Sequence, residues 1–113
     1  MIEQFFDDER HRRSEERAFA AERAERKGSF DEARLAYEEA ASLEEQAARA
    51  VPGVVPRVRA LLAISAVSLW LKARRWDDAA RAGCSFLAEP AALTPDGRRE
   101  LESLVGLARA RAG

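Results

Sequence analysis

Apolar residues recur along most of the chain at spacings of three and four, which is the period of a helix that buries one side. No run alternates between apolar and polar residues as a half-buried strand does. The pattern predicts five helices, which cover residues 13–27, 30–50, 57–74, 76–88 and a last stretch from residue 95. We therefore expect an all-α fold of antiparallel helical hairpins, with a single domain over residues 13–110.

Residues that start and stop helices lie between these stretches. Gly28 is placed to cap the first helix in a left-handed conformation, and Ser29 with Glu32 forms a capping box that starts the second. Residues 51–56 contain two prolines and a glycine, which predict a tight elbow. Thr94 precedes a proline and predicts the N-cap of the fifth helix. That helix is expected to bury a stripe of Leu101, Leu104, Val105 and Leu107.

The third predicted helix is apolar on more than one side, which is typical of a helix at the centre of a domain. Its large apolar residues are Val58, Leu61, Leu62, Ile64, Val67, Leu69, Trp70 and Leu71. The alanine-rich stripes of the neighbouring helices are expected to leave part of this surface uncovered. An uncovered apolar patch usually marks a binding surface.

The first 12 residues differ from the rest of the chain. Between Phe6 and Ala18 there is no large apolar residue. Residues 1–12 are therefore predicted to form a polar helical extension outside the packed domain. Two interpretations of Phe5 and Phe6 stay open: they contact a partner or a second copy of the chain, or they belong to a frayed end.

Acidic and basic side chains are unevenly distributed. Residues 29–50 contain six acids and two arginines, whereas basic residues dominate between 57 and 81. The glutamates of the second helix are predicted to form a solvated face of Glu38, Glu39, Glu44 and Glu45. Either the two hairpins complement each other, or the basic region from Arg57 to Arg81 binds an acidic partner or an acidic face of another copy.

The composition is that of one small domain with balanced charge. The chain has 113 residues, with 20 acidic against 19 basic side chains and a formal net charge of -1. It has no overall field that would attract nucleic acid or an anionic membrane. Its longest weakly polar run, residues 60–71, is shorter than the roughly 20 residues that span a bilayer. With one cysteine and no secretion signal, the protein is expected to be cytoplasmic.

Few residues are candidates for catalysis. His11 lies four residues from both Asp7 and Glu15, so a helix would place all three on one side, as a metal site or a proton relay requires. Such spacing is, however, common in so charged a segment. Cys84 follows Arg81 by three residues, but its small apolar neighbours favour an inert packed thiol. We predict no catalytic, cofactor-binding or metal-binding residue, and no enzyme.

Two segments of the chain match, residues 28–37 and 74–83. The positions that fit one repeat pattern, an aromatic residue, an alanine, a second aromatic residue and a second alanine, are Phe30, Ala33, Tyr37 and Ala40 in the first copy and Trp76 and Ala79 in the second. This arrangement resembles the tetratricopeptide repeat, in which an aromatic residue wedges between two helices and alanines let their backbones approach. In the second copy Gly83 and Phe86 replace the aromatic and the small residue. The copies are also 46 residues apart, against about 34 in the family.

The resemblance implies a right-handed array of helices that binds a peptide or a helix along its A helices. On this chain that surface would consist of Leu61, Ile64, Ser68, Leu71 and Lys72 in the third helix and Glu22 and Arg26 in the first. The residues with which some family members clamp a C-terminal carboxylate are absent. We expect a protein–protein interaction module, either an adaptor or a regulatory subunit. A self-associating homodimer is the alternative, and an RNA-binding helical protein or an enzyme of unrecognised type is less favoured.

Overall fold

Five α-helices make up the structure, a computed structural model that describes residues 8–89 and 92–113. They are α1 (Glu9–Arg26), α2 (Phe30–Ala50), α3 (Pro56–Lys72), α4 (Trp76–Leu87) and α5 (Pro95–Ala112). No strand occurs in these two ranges. The predicted all-α fold is confirmed, and α2 has the predicted bounds.

Each helix packs against the next one in the chain, so that the molecule is a series of helical hairpins. α3 also packs against α5, which gives it the central position expected from its apolar sequence. The Cα atoms span 41 × 35 × 17 Å. A thickness of 17 Å accommodates two layers of helices whose axes lie about 8–10 Å apart.

Small residues make up most of the core. Alanine accounts for 16 of the 27 buried apolar residues in the described ranges. The largest fully buried apolar side chains are Phe86, Leu62, Leu101, Val58 and Val67. Because alanine adds little bulk, the helix backbones approach one another closely. No helix in the described part of the chain combines the length and the apolar character needed to cross a membrane.

The turns after α1 and α3 have the same geometry. Gly28 and Arg74 both have a left-handed backbone, with φ of 78° and 58°. In each turn the next amide donates to the carbonyl five residues before it, at 2.9 and 3.0 Å. The predicted left-handed cap at Gly28 is confirmed. The matched segments thus form equivalent turns, but the second uses an arginine in a conformation that costs a residue with a Cβ about 1–2 kcal/mol.

The predicted N-caps of α2 and α5 have different outcomes. Thr94 caps α5 as expected, because its hydroxyl accepts a hydrogen bond from the Gly97 amide at 3.1 Å. Ser29 is the N-cap residue of α2, but its side chain makes no capping hydrogen bond. Its ψ of 70°, against 156° at Thr94, departs from the extended backbone of a capping residue. The predicted capping box of Ser29 and Glu32 is therefore wrong.

α1 begins at Glu9, four residues before the predicted start at Arg13. Asp8 is its N-cap, and the Asp8 carboxylate accepts a hydrogen bond from a backbone amide at 2.8 Å. This part of α1 packs without large apolar side chains, because the buried Ser14 hydroxyl donates to the Ala40 carbonyl at 2.8 Å. Residues 9–12 are continuous with the rest of α1, and His11 among them contacts Glu44 of α2.

The buried stripe of α5 differs from the prediction at one residue. Leu101 and Val105 are buried and Leu104 is half-buried, but Leu107 is 45% exposed and Ala108 is buried instead. Ala108 follows Leu101 by seven residues and Leu104 by four, so these three share one side of the helix. Leu107 lies about 100° around the helix from Ala108.

Gly83 occupies the position that Tyr37 has in the first copy, and the packing of α4 explains the difference. A Cβ at Gly83 would lie 2.4 Å from Val105 Cγ2 on α5, so a side chain fits there only if Val105 shifts. Gly106 lies in α5 next to Val105, and nothing is within 4 Å of the place where its Cβ would be. The aromatic wedge of the first hairpin is therefore replaced in the second by a close approach of two helices.

Replacing Gly83 with alanine is expected to lower the free energy of unfolding by about 1–3 kcal/mol, because overpacking outweighs the gain in helix propensity. Gly106→Ala is the matched control and is expected to raise it by about 0.5–1 kcal/mol. Urea unfolding followed by circular dichroism measures both changes. A gain in stability from both substitutions would contradict the close approach of α4 and α5.

Candidate partner-binding surface

One side of α3 is open to solvent, and the partner-binding residues predicted in this helix lie on it. Leu61 is 50% exposed and Lys72 is exposed, while the other three are half-buried. Spacings of three and four residues place them on one side of the helix. We call this set the α3 face: Leu61, Ile64, Ser68, Leu71 and Lys72.

The rest of α3 is covered more fully than the sequence suggests. Its buried residues are Val58, Arg59, Ala60, Leu62, Ala63, Ala66, Val67, Leu69 and Trp70. The alanine-rich neighbouring helices come close enough to cover them. The part of α3 that the neighbouring helices leave uncovered is therefore confined to one side of the helix. Within the described ranges the open apolar surface of α3 is the α3 face.

The α3 face leads, at its C-terminal end, into a cleft of about 430 Å³ that we call the end cleft. Its walls come from α3, from the turn after α3, from α4 and from α5. The lining residues are Leu71, Lys72, Arg74, Trp76, Leu107 and Arg111. Three of these side chains are apolar, three are cationic and none is acidic.

α1 contributes Glu25 next to the α3 face, a residue that no sequence pattern indicates. Glu25 lines a second cleft, of about 460 Å³, together with Lys72. The hydroxyl of the buried Tyr37 donates to Glu25 Oε1 at 2.6 Å. Burial, and then this hydrogen bond, raise the pKa of Tyr37. The predicted residues Glu22 and Arg26 are half-buried and exposed, respectively, and line neither of the two clefts.

The aromatic residues of the matched segments differ in burial. Tyr37 is 3% exposed, as a wedge between helices requires, and Trp76 is half-buried in the wall of the end cleft. Phe30 is 69% exposed and does not wedge between helices. It is the first residue of α2, so the preceding turn against which a helical side chain leans is missing. Phe5 and Phe6 lie outside the described residues.

Glu44 and Glu45 are buried, which corrects the prediction that they belong to a solvated face; they are 3% and 8% exposed. Glu45 accepts hydrogen bonds from Arg49 at 2.6 Å, from Arg81 at 3.1 Å and from Trp70 Nε1 at 3.0 Å. Burial raises the pKa of Glu45, but these hydrogen bonds outweigh burial and hold it at about 2. The ionised carboxylate thus joins α2 to α3 and α4.

Glu44 has a different set of partners. Its carboxylate lies 2.7 Å from Nδ1 of His11 and accepts a hydrogen bond from the Ser65 hydroxyl at 2.8 Å. The other ring nitrogen of His11 lies 2.6 Å from Glu15, while Asp7 is outside the described residues. The carboxylate separates the serine from the imidazole, so the histidine is not placed to take the serine proton as a nucleophilic triad requires. No cluster of three metal-ligating side chains occurs in the ranges that the structure covers.

Ion pairs connect the acidic first hairpin to the basic second one. Arg75 binds Glu38 at 3.2 Å, and Arg81 binds Glu45 at 3.1 Å. Trp70, which is buried, donates to Glu45 and has no free ring face for a nucleic-acid base. These contacts support the interpretation that the two hairpins complement each other.

Cys84 is half-buried in α4, and its polar neighbour differs from the one that sequence spacing suggested. Arg109 Nη2 on α5 lies 3.3 Å from the Cys84 sulfur. The Arg81 guanidinium instead binds Glu45.

Comparison with known proteins gives no match: no protein-family model, no curated protein and no solved structure matches this chain. The tetratricopeptide-repeat resemblance therefore rests on the matched segments and on their equivalent turns. The α3 face, the end cleft and the charges around them are the basis for a functional argument.

Proposed function

We propose that this chain is a protein–protein interaction module, an adaptor or a regulatory subunit, which binds a helix of a partner protein along the α3 face. The observation that carries this proposal is the half-exposed Leu61, in line with Ile64 and Leu71 on a helix whose other sides are buried. Covering the open half of Leu61 contributes about 1 kcal/mol. Ile64 and Leu71 are less exposed than Leu61 and extend the same apolar row.

The shape of the surface favours a helix as the bound segment. Residues 61–72 extend over about 16 Å of α3, and Leu107 of α5 lies beside Leu71 in the end cleft. Apolar side chains on two neighbouring helices form a groove in which an amphipathic helix places its own residues at spacings of three and four. A peptide that binds by adding a strand to a sheet would need an unpaired strand edge, and the described ranges contain no strand.

We further propose a tetratricopeptide-like right-handed array, in which α1, α3 and α5 are the A helices of the binding side. The equivalent turns at Gly28 and Arg74 support this proposal. The end cleft also supports it, because α3 and α5 line it together.

A photoreactive group at position 61 of the α3 face is expected to crosslink to the partner protein. A photoreactive phenylalanine analogue in place of Leu61 should give an adduct in cells that express the protein, and the same analogue in place of Leu35 on α2 should not. Leu35 is the matched control because it is also an exposed leucine. The adduct is then identified by mass spectrometry, and the purified partner is titrated against the purified chain.

In that titration Leu61→Glu is expected to weaken binding about tenfold or more, because it buries a charge in an apolar contact. Leu35→Glu should leave the affinity unchanged. Both substitutions should change the free energy of unfolding by less than about 0.5 kcal/mol, since they are at the surface. Equal affinities for the two variants would exclude the α3 face as the binding site.

Self-association through the same face is the alternative function. Light scattering separates the two: a homodimer has twice the mass of the chain across concentrations, and Leu61→Glu makes it monomeric. The ion pairs found between the hairpins already engage Arg75 and Arg81, which leaves these two arginines less able to assist a dimer by charge.

A further inference from the structure

The cations of the end cleft lack the acidic partners that other cations nearby have. Among the described residues, Lys72, Arg74 and Arg111 form no ion pair, although the Lys72 ammonium faces the Tyr37 ring at 5.9 Å. Arg75, next to Arg74 in sequence, pairs with both Glu38 and Asp78. Arg57, at the other end of α3, forms no ion pair with a described residue either, so what distinguishes the end cleft is that three such cations line it together and no acid does.

The ends of two helices also lie at this cleft, and they reduce its positive charge only in part. α3 ends at Lys72 and α5 ends at Ala112, and each helix C-terminus carries about half a negative charge. The side chains and helix ends at the end cleft therefore carry a net charge of about two, while the acids of this region line the adjoining clefts, Glu25 and Asp31 in one and Asp77 and Asp78 in the other. The apolar side chains of Leu71, Trp76 and Leu107 lie among them.

Arg74 reaches this position through a strained backbone. Its φ of 58° lies in the left-handed region, where the equivalent turn of the first hairpin has Gly28. A glycine would form the same turn without strain. Arg74 lines the end cleft, the second cleft and a third one beside Trp76, so the strained residue stands where three clefts meet. Strain of this kind is concentrated at functional sites.

We propose that the end cleft binds the acidic end of the partner helix, where aspartate or glutamate residues follow a leucine or a phenylalanine. The proposal rests on the proposed function, in which that helix lies on the α3 face, and adds its charge and its direction. The partner's apolar side chain contacts Leu71, Trp76 and Leu107. Its carboxylates bind Lys72, Arg74 and Arg111. The C-terminus of the partner helix lies at the cleft, because its negative dipole end faces the cations there.

The probes are two fluorescent amphipathic peptides of about 18 residues, with the same leucine-rich side. One carries glutamates in its last turn and the other carries glutamines. Fluorescence anisotropy with the full chain should show about tenfold tighter binding of the acidic peptide at about 50 mM salt. That preference should shrink at about 500 mM salt, where exposed charges are screened. A short uridine oligonucleotide and vesicles containing phosphatidylserine serve as competing anionic ligands.

Two variants assign the preference to the cleft. Arg74→Gly should bring the Kd of the acidic peptide to within about threefold of the Kd of the glutamine peptide. It should also raise the melting temperature by a few degrees, because the strain is relieved. Arg111→Gln, which leaves the turn unchanged, should also weaken binding of the acidic peptide. Arg57→Gln is the matched control at the other end of α3, where an exposed arginine should make no difference.

The outcomes distinguish this proposal from the proposed function. Equal binding of the two peptides, or a preference that survives both Arg74→Gly and Arg111→Gln, would overturn the proposal that an acidic helix end binds the end cleft. Neither result would contradict the proposal that a partner helix binds the α3 face. Tighter, Arg74-dependent binding of the oligonucleotide or the vesicles than of the acidic peptide would overturn it as well. If neither peptide binds and an adduct forms at position 61, the proposed binding of an acidic helix end is wrong and the proposed function stands. If no adduct forms either, both are wrong.

Discussion

Replacing Tyr37 with alanine is expected to lower the free energy of unfolding by about 3–5 kcal/mol, the largest effect of a single substitution that we predict. The ring is buried between helices and belongs to the core. Its hydroxyl is 2.6 Å from the Glu25 carboxylate, so the substitution removes a hydrogen bond across the first hairpin as well as apolar contacts. Urea unfolding followed by circular dichroism measures the change.

Two further substitutions separate the contributions at this position. Tyr37→Phe keeps the ring and is expected to cost about 1.5–3 kcal/mol, the value of one hydrogen bond to a charged group. Phe30→Ala is the exposed control and should cost less than about 0.5 kcal/mol, because most of the Phe30 ring is already in solvent. A cost of less than about 0.5 kcal/mol for Tyr37→Ala would show that the aromatic position of the matched segments is assigned wrongly.

The second large effect is expected at Glu45, where Glu45→Gln should cost about 2–3 kcal/mol near neutral pH. The substitution removes the charge that Arg81 and Arg49 bind and disturbs the hydrogen bond from Trp70 Nε1. Breaking a fully buried ion pair costs about 3–5 kcal/mol. The two arginines are partly exposed here, and solvent screening reduces the figure.

The same carboxylate makes stability depend on pH in the acid range. Burial raises the pKa of Glu45, the hydrogen bonds from Arg81, Arg49 and Trp70 lower it, and the net pKa is about 2 against an ordinary 4.5. A lowered pKa in the folded state means that the unfolded state binds more protons between these values. The contribution of Glu45 is therefore complete above about pH 4.5 and is lost as the pH falls towards 2.

Unfolding free energies at several pH values test this dependence. The Arg10 guanidinium holds the pKa of Asp8 at about 2 as well, so the difference between the natural chain and Glu45→Gln is the relevant quantity. That difference should be about 2–3 kcal/mol at pH values above about 5 and should shrink as the pH falls towards 2. Glu32→Gln, at an exposed position, is the control. A difference that stays constant over this range would contradict the role assigned to Glu45.

Local patterns predicted most of the fold, because a helix is specified by its own periodicity and by the residues at its ends. They misplaced Glu44 and Glu45 because the partners that allow their burial are far away in sequence. Arg81 lies 36 residues after Glu45, and His11 lies 33 residues before Glu44. One signal was present in the sequence: the two glutamates follow the buried Ala40 and Ala41 by four residues, so they share the apolar stripe of α2.

The candidate site was predictable along one helix and not across several. Residues 61–72 could be assigned to the α3 face because spacings of three and four fix which residues share a side. The end cleft combines side chains from α3, α4 and α5 with one from a turn, and no periodicity connects them. Leu107 was assigned to the core for the same reason, because a stripe of leucines does not show where the neighbouring helix ends.

The alanine-rich interior makes the tolerance of this protein to mutation asymmetric. In most cores the harmful changes shorten large side chains, but the many fully enclosed alanines of this chain have almost nothing to shorten. Any larger residue at Ala40, Ala63 or Ala66 would have to force two helices apart. A deep mutational scan should therefore find that substitutions which add volume are depleted at these positions, while leucine and methionine replace each other readily at Leu62 and Leu101. Sequence change in this fold is thus limited by the space between the helix backbones.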